Sequence, residues 1–335
     1  MNSRDSRRRS AGFSLIELFV ATGAMLFVIF FTLGTFTINH QTYVVVDQIA
    51  EAQQNTRSIA TLIERDVRNA GYLVEPQASA CGLDNTGAAD VLFLSDADAI
   101  RPVDQLPIGL RGSSLGAETN TAAPTAAGVL TVTVDDVVID GQPSYDTDGD
   151  GTDDSDFRVG AGAILIDLTT TGRGVACGLV TSVTPPSTVE VSFLNGLATA
   201  TLPADLRLIA AHSYQLVTPG GGAPPRLQRD GVMLAKDVED LQVAWFYDAN
   251  DNGQVDANEY QGGSGTVYDN TLVDGNDLRE VRVSLVVRTS ADDPRNLSAA
   301  GTGQAIENRT GSVAGNDGRH RRVHQSTIRV RNVAS

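Results

Sequence analysis

"GFSLIELFVATGAMLFVIFF", residues 12–31, decides how the chain is built. It opens a run from Phe13 to Ile38 in which the only charged residue is Glu17. A helix needs about 20 predominantly apolar residues to cross a bilayer, and this run is long enough. Arg4, Arg7, Arg8 and Arg9 precede it, and upstream positive charge predicts that the N-terminal end stays in the cytoplasm while the remainder crosses. An ordinary secretory signal has a shorter apolar region followed by a small-residue cleavage site. Here Ala21-Thr22-Gly23-Ala24 sits inside the run instead. A plain signal anchor accounts for everything except Glu17, because a carboxylate at membrane depth is costly and marks function by default.

The 335 residues carry a net charge of −16, and Lys236 is the only lysine among 25 basic residues. A general nucleic-acid grip needs a basic surface to replace phosphate counterions, so that class is disfavoured. The acidity suits a hydrated surface and cation binding. Two cysteines, Cys81 and Cys177, form no CxxC pair and give no zinc or thioredoxin-like motif. In an exported body they can form a disulfide; otherwise they are buried free thiols.

Past the span the pattern turns amphipathic. Ile49, Ala52, Ile59, Leu62, Ile63, Val67 and Ala70 recur near helical spacing among polar residues that include Glu51, Arg57, Glu64, Arg65 and Asp66. Gly71 is a natural stop. The divisions expected are a leader over 1–12, a transmembrane segment over 13–40, an amphipathic helix over 41–71 and a β-rich body over 72–335.

Gly12-Phe13-Ser14-Leu15-Ile16-Glu17, behind a basic leader and ahead of a long apolar helix, resembles the processing site of type IV prepilins and type II secretion pseudopilins. The resemblance implies that a prepilin peptidase cuts after Gly12 and methylates the new N-terminal residue, Phe13. Glu17, fifth after the cut, would then neutralise the Phe13 amine of a neighbouring subunit. That amine has a reference pKa of about 7.7 to 8. Two charges that are each expensive in hydrocarbon become tolerable when paired. Many pilins have a proline where this chain has Gly34; glycine weakens a helix by about 1 kcal/mol without imposing a kink.

From Tyr72 onward the signals are strands and turns. Val91–Leu94, Leu130–Val134, Ala163–Ile166 and Val189–Phe193 are short β-branched runs. "LREVRVSLVVR" sets Val281, Val283, Leu285 and Val287 against Glu280, Arg282, Ser284 and Arg288. "STIRVRN" repeats that habit with Ile328 and Val330 inward. Such arginine rows are either a partner surface or, more commonly, solvated or acid-paired. Gly220–Pro225 reads as a hairpin turn between "HSYQLV" and "RLQR", and the stretches 112–128 and 299–318 read as exposed loops.

"DANDNGQVDANE" is the sharpest motif of the body. Asp248, Asn250 and Asn252 alternate, Gly253 follows, the Gln254 carbonyl and Asp256 come next, and Glu259 closes the span. This matches the EF-hand loop pattern, in which short oxygens wrap calcium and glycine permits the bend. The alternative is an Asn/Asp/Gly turn. "DTDGDGTDD" is weaker: Asp146, Asp148, Asp150 and Asp154 lack a bidentate closing residue, and calcium and a solvated acidic turn are equally open there. Any calcium role is expected to be structural.

"RDVRNAGY", "VEDLQVAWFYDANDNGQVDANEY", "LREVRVSLVVRT" and "HRRVHQSTIRVRN" together resemble the PilW group of type IV pilus minor pilins. That resemblance implies an α+β, pilin-like fold, a long N-terminal helix packed on an antiparallel sheet. It implies an inner-membrane protein with a periplasmic body that later joins the pilus, primes its assembly and sits at its tip. Other minor and major pilins, the prepilin peptidase and the inner-membrane assembly platform would be its partners. The rivals are a J-type minor pseudopilin of type II secretion and a pilin-displayed adhesin module. His40, His212, His320 and His324 are scattered and accompany no catalytic motif, so no enzyme is expected.

Overall fold

The computed structural model describes residues 14–72, 74–96, 117–119, 124–133, 157–168, 174–184, 188–197, 206–220, 223–263, 268–269, 275–293, 304–313 and 318–331. The architecture is α+β: one long helix, α1 (Leu15–Asn69), and antiparallel sheets in a β-rich body. The chain divides into two compact units, residues 1–50 and 51–335, and α1 contributes to both.

In the first unit α1 buries none of its residues as far as Val44. Every residue from Ser14 to Val44 is exposed, including Phe19, Phe27, Phe30 and Phe36. Its most apolar window has a mean hydropathy of 2.2, which by length and composition is enough to cross a membrane. The helix runs through Gly34 unbroken. Thr22, Thr32, Thr35 and Thr37 donate their hydroxyls to carbonyls three or four residues back, at 2.7 to 3.1 Å. Each hydroxyl is thereby satisfied within the helix, as an apolar solvent requires.

The second unit begins where α1 acquires a buried stripe: Ala52, Thr56, Ile59, Ala60, Ile63, Asp66 and Val67. Burial of Ile59, Ile63 and Val67 stabilises the unit by about 1.5 to 3 kcal/mol for each side chain. The helix stops just before Gly71, which takes the left-handed backbone (φ 81°) that ends helices without steric penalty.

Ten strands form the first sheet: β1 (Ala80–Leu83), β2 (Val91–Leu94), β3 (Ala117–Thr119), β4 (Gly128–Thr133), β5 (Gly162–Asp167), β6 (Ala176–Thr184), β7 (Thr188–Phe193), β8 (Leu206–Val217), β9 (Arg226–Arg229) and β10 (Val232–Lys236). Its main path runs β1-β2-β8-β5-β6-β7-β4; β3 and β9 also pair with β8, and β10 pairs with β9. β8 and β9 are antiparallel neighbours, Tyr214 opposite Arg229, as the hairpin expected there requires, although Gly221 and Gly222 lie outside the described residues.

The second sheet contains β11 (Val238–Tyr247), β12 (Tyr260–Gln261), β13 (Leu278–Arg288) and, after the hairpin β14 (Gln304–Ile306) and β15 (Arg309–Val313), β16 (Arg321–Arg329), in the order β12-β11-β13-β16. Val281, Val283, Leu285, Val287 and Ile328 face the core, as their alternation predicts.

Two hydrophobic clusters result. One gathers β5 to β8 around Phe93, Phe193 and the cysteines. The other joins the α1 stripe to Tyr214, Trp245 and the second sheet. All of their residues fall within the second unit, which therefore carries its own core.

Three sequence expectations are corrected here. Asp66 belongs to the buried stripe and not to the polar face, being 2% exposed. The stretch 299–318 contains the β14–β15 hairpin, with Ile306 buried, instead of an exposed loop. The stretch 112–128 likewise supplies β3 to the edge of β8. In the first two cases the polar side chains that suggested solvent find partners far away in sequence; in the third it is the backbone that pairs.

Candidate functional site

Gly12, Phe13, Asp146, Asp148, Asp150 and Asp154 lie outside the described residues. Glu17 does not. Ser14 precedes the first residue of α1, and the Glu17 N–H donates to its Oγ at 3.4 Å. The Ser14 N–H donates in return to Glu17 Oε2 at 3.3 Å. This reciprocal pair is a capping box, and it satisfies two of the amides that a helix start leaves open. The S-x-x-E signature ahead of an apolar run could have revealed it. Glu17 also stands in the first turn, where a negative charge suits the helix dipole. Among the described residues it has no cationic partner.

The loop that follows β11 is ordered by its own short side chains. Asp248 is buried; its Oδ1 accepts the Asn252 N–H and its Oδ2 the Gly253 N–H, both at 3.0 Å. Asn250 Oδ1 accepts the Asn252 N–H at 3.0 Å, and Asn252 Oδ1 accepts the Gln254 N–H at 2.7 Å. The side-chain amides of Asn250 and Asn252 donate to Asp256 Oδ2 at 3.0 and 3.1 Å. Glu259 Oε2 accepts the Asp256 N–H at 2.8 Å. Gly253 makes the bend with φ 78°, a left-handed backbone that favours glycine even though the space around it is open.

The spacing thus brings Asp248, Asn250, Asn252, Asp256 and Glu259 into one turn. In kind the donors fit a hard, oxygen-seeking cation. In place they hold one another, and the Arg279 guanidinium stands 3.4 Å from Asp248 Oδ2 and 3.7 Å from Asp251. Among the described residues no three His, Cys, Asp or Glu side chains converge as a metal cluster.

Cys81 and Cys177 are joined by a disulfide, with Cα atoms 6.3 Å apart. It ties β1 to β6 inside the first cluster, and both sulfurs are buried. The Asn195 side chain reaches both cysteine sulfurs and the Gly82 carbonyl.

Much of the remaining charge is internal. Asp66 Oδ2 accepts the Tyr214 hydroxyl at 2.6 Å and Arg229 Nε at 2.9 Å, while its Oδ1 accepts Arg65 Nε at 3.2 Å. Burial and the adjacent Asp66 carboxylate push the Tyr214 phenol well above its ordinary range.

Glu307 at the β14–β15 turn accepts from Arg282, Tyr260, Ser284 and Gln325. Burial works to raise its carboxyl, but hydrogen bonds from Arg282 and Tyr260 hold it below the usual range. Asn308 of the same turn donates to Asp84 at 2.7 Å, and Arg309 pairs with Asp240. The arginine row of β13 is therefore acid-paired: Arg282 with Glu307 and Arg288 with Glu239, which also holds Arg321. Asp90 is fully enclosed and accepts the Asn85 and Val243 amides, yet burial pushes its pKa up to about 8.

An exposed apolar helix followed by an antiparallel β-rich body is the architecture that the pilin resemblance implies. Residues 224–332 match the model of a family described as Type IV Pilus-assembly protein W. That segment runs from β9 through β16 and includes the loop at 248–259. No curated protein matches the chain. Among solved structures, a type IV-like pilin from Thermus thermophilus aligns at 13% identity with a TM-score of 0.21, covering 53% of this chain and 90% of its own.

Proposed function

We propose that the chain is a minor pilin of the type IV pilus that takes part in assembly and priming and sits at the filament tip. The observation that carries the reading is Glu17: the one charged residue at the start of a helix whose first part, Leu15 to Ile38, is otherwise uncharged and is exposed throughout. The match of residues 224–332 to a pilus-assembly family supports the same assignment for the body. In this reading a prepilin peptidase cuts between Gly12 and Phe13 and methylates the new terminus. The span holds the protein in the inner membrane with its N-terminal end cytoplasmic and its body periplasmic, and the helix then enters the filament among other pilins.

Glu17 performs two tasks in this scheme. Through Ser14 it caps its own helix. A carboxylate has about four lone-pair sites, so acceptor capacity remains for the amine of a neighbouring Phe13. Pairing removes two isolated charges from hydrocarbon at once.

The loop at 248–259 we assign to structural calcium, held by Asp248, Asn250, Asn252, Asp256, Glu259 and the Gln254 carbonyl. Its donor set and the bend at Gly253 support this.

The test is mass spectrometry of the membrane-borne protein, which should begin at a methylated Phe13; an intact leader sinks the processing scheme. Deletion of the chain should abolish or reduce piliation and leave type II secretion intact. The opposite phenotype would assign it to a secretion pseudopilus, and unchanged piliation with loss of ligand binding would make it a displayed adhesin.

A further inference from the structure

We propose that the groove between α1 and the outer edge of β16 docks an extended, carboxylate-bearing segment of a neighbouring polypeptide. The groove encloses about 380 Å³, with Gln53, Arg57 and Glu64 of the helix on one side and Arg322, Val323 and His324 of the strand on the other. Most charges of this body are internally paired; Arg57 and Arg322 are not. Neither guanidinium has a partner among the described residues.

Glu64 does not neutralise them. Its Oε1 accepts the Ser326 hydroxyl at 2.8 Å and its Oε2 pairs with Arg68 at 2.9 Å. His324 Nε2 lies 4.0 Å from Glu64 and makes no hydrogen bond. On a chain of net charge −16, a groove flanked by two unpaired arginines is a local reversal of sign that suits an anionic partner.

The strand decides what kind of anion. β16 pairs only with β13 among the described residues and ends the second sheet. Its outer edge therefore presents main-chain N–H and C=O groups that another strand can pair with. Val323 is 44% exposed beside the two arginines and offers apolar contact to an incoming side chain. A polypeptide strand uses the edge, the apolar contact and the charge together, whereas a lipid headgroup or a free anion uses only the charge. The inference rests on this groove and is independent of leader processing and of Glu17.

The experiment measures fluorescence anisotropy of a labelled eight-residue peptide of alternating threonine and glutamate against the full chain in neutral detergent at low salt. The Arg57→Gln/Arg322→Gln variant should bind about tenfold more weakly, as should a peptide with glutamine in place of glutamate. An N-methylated version of the peptide should also lose binding, and hydrogen exchange should show β16 amides protected by the unmodified one. Both arginines are exposed, so the variant should melt with the parent. Absence of binding at millimolar peptide, equal binding by the glutamine peptide, or equal binding by the variant overturns the proposal. So does arginine-dependent capture by phosphatidylglycerol vesicles without peptide binding, which would assign the groove to a membrane surface.

Discussion

Replacing Asp66 with alanine tests how the second unit fastens its helix to the first sheet. The carboxylate is 2% exposed and meets Tyr214 of β8 at 2.6 Å and Arg229 of β9 at 2.8 Å. Removing one member of a buried ion pair destabilises by about 3 to 5 kcal/mol, because the other charge is left without compensation. Arg229 retains 23% side-chain exposure and a second acid, Asp230, at 3.5 Å, which places the expected loss near the lower end, about 3 kcal/mol. That is a change of roughly 150-fold in the unfolding equilibrium. Urea unfolding of residues 51–335 reads it directly, since Trp245 is the only tryptophan and is buried in the same cluster as the helix stripe. A double-mutant cycle with Arg229→Ala should show coupling of about 1 to 3 kcal/mol. A loss below about 1 kcal/mol, or strictly additive single variants, would refute the claim that the pair anchors the helix.

The disulfide closes a loop of 96 residues, so Cys81→Ala/Cys177→Ala should lose about 4.7 kcal/mol on the chain-entropy argument, read by the same unfolding curve. Asp90 has a folded-state pKa raised to about 8 from 3.8, so its contribution is fully present below the lower value and is lost as pH rises through the upper one. The stability difference between the parent and Asp90→Asn should therefore shift against the parent between pH 5 and pH 8.5; a flat difference contradicts the burial argument. Glu17→Leu should insert normally, since it removes a charge from the span, but should fail to enter pili when fractions are blotted. Calorimetry should detect calcium binding to residues 51–335, with a dissociation constant of about 10⁻⁴ to 10⁻³ M, and Asp248→Ala/Glu259→Ala should abolish it. Absence of heat returns that loop to an ordinary turn.

What was legible in the sequence follows from periodicity and range. The apolar run, the helix stop at Gly71 and the strands at 91–94, 162–167, 188–193 and 278–288 are local patterns, and local patterns can be read off one chain. The EF-like spacing was equally visible, and the structure folds those residues into one turn. What escaped is what depends on distant partners. Asp66 reads as a surface carboxylate because Tyr214 and Arg229 are 148 and 163 residues away. The 304–313 hairpin reads as a loop because Glu307, Asn308 and Arg309 are polar, and their partners Arg282, Asp84 and Asp240 are joined only by folding. The cysteine pairing was undetermined for the same reason. The capping box at Ser14 and Glu17 is the exception, a local signal overshadowed by the membrane argument around it.

Asp66 and Glu17 pose the same physical problem on one helix. Each is a carboxylate set among apolar side chains, Asp66 on the buried stripe and Glu17 in the apolar run, and an isolated buried carboxylate is costly enough to require compensation. For Asp66 the chain supplies it: two arginines and a phenol reach its oxygens. For Glu17 the described chain supplies only the Ser14 amide, which satisfies a lone pair and leaves the charge. If the span enters hydrocarbon, the missing cation must come from outside the helix, and an amine on a neighbouring subunit is the cation that processing after Gly12 would create. The solved problem at Asp66 is thus the measure of the unsolved one at Glu17. It also explains why Glu17→Gln is the sharpest variant: it keeps an acceptor for Ser14, removes the charge, and should separate capping from assembly. A Glu17→Gln chain that still assembles would show that the cap alone accounts for the residue.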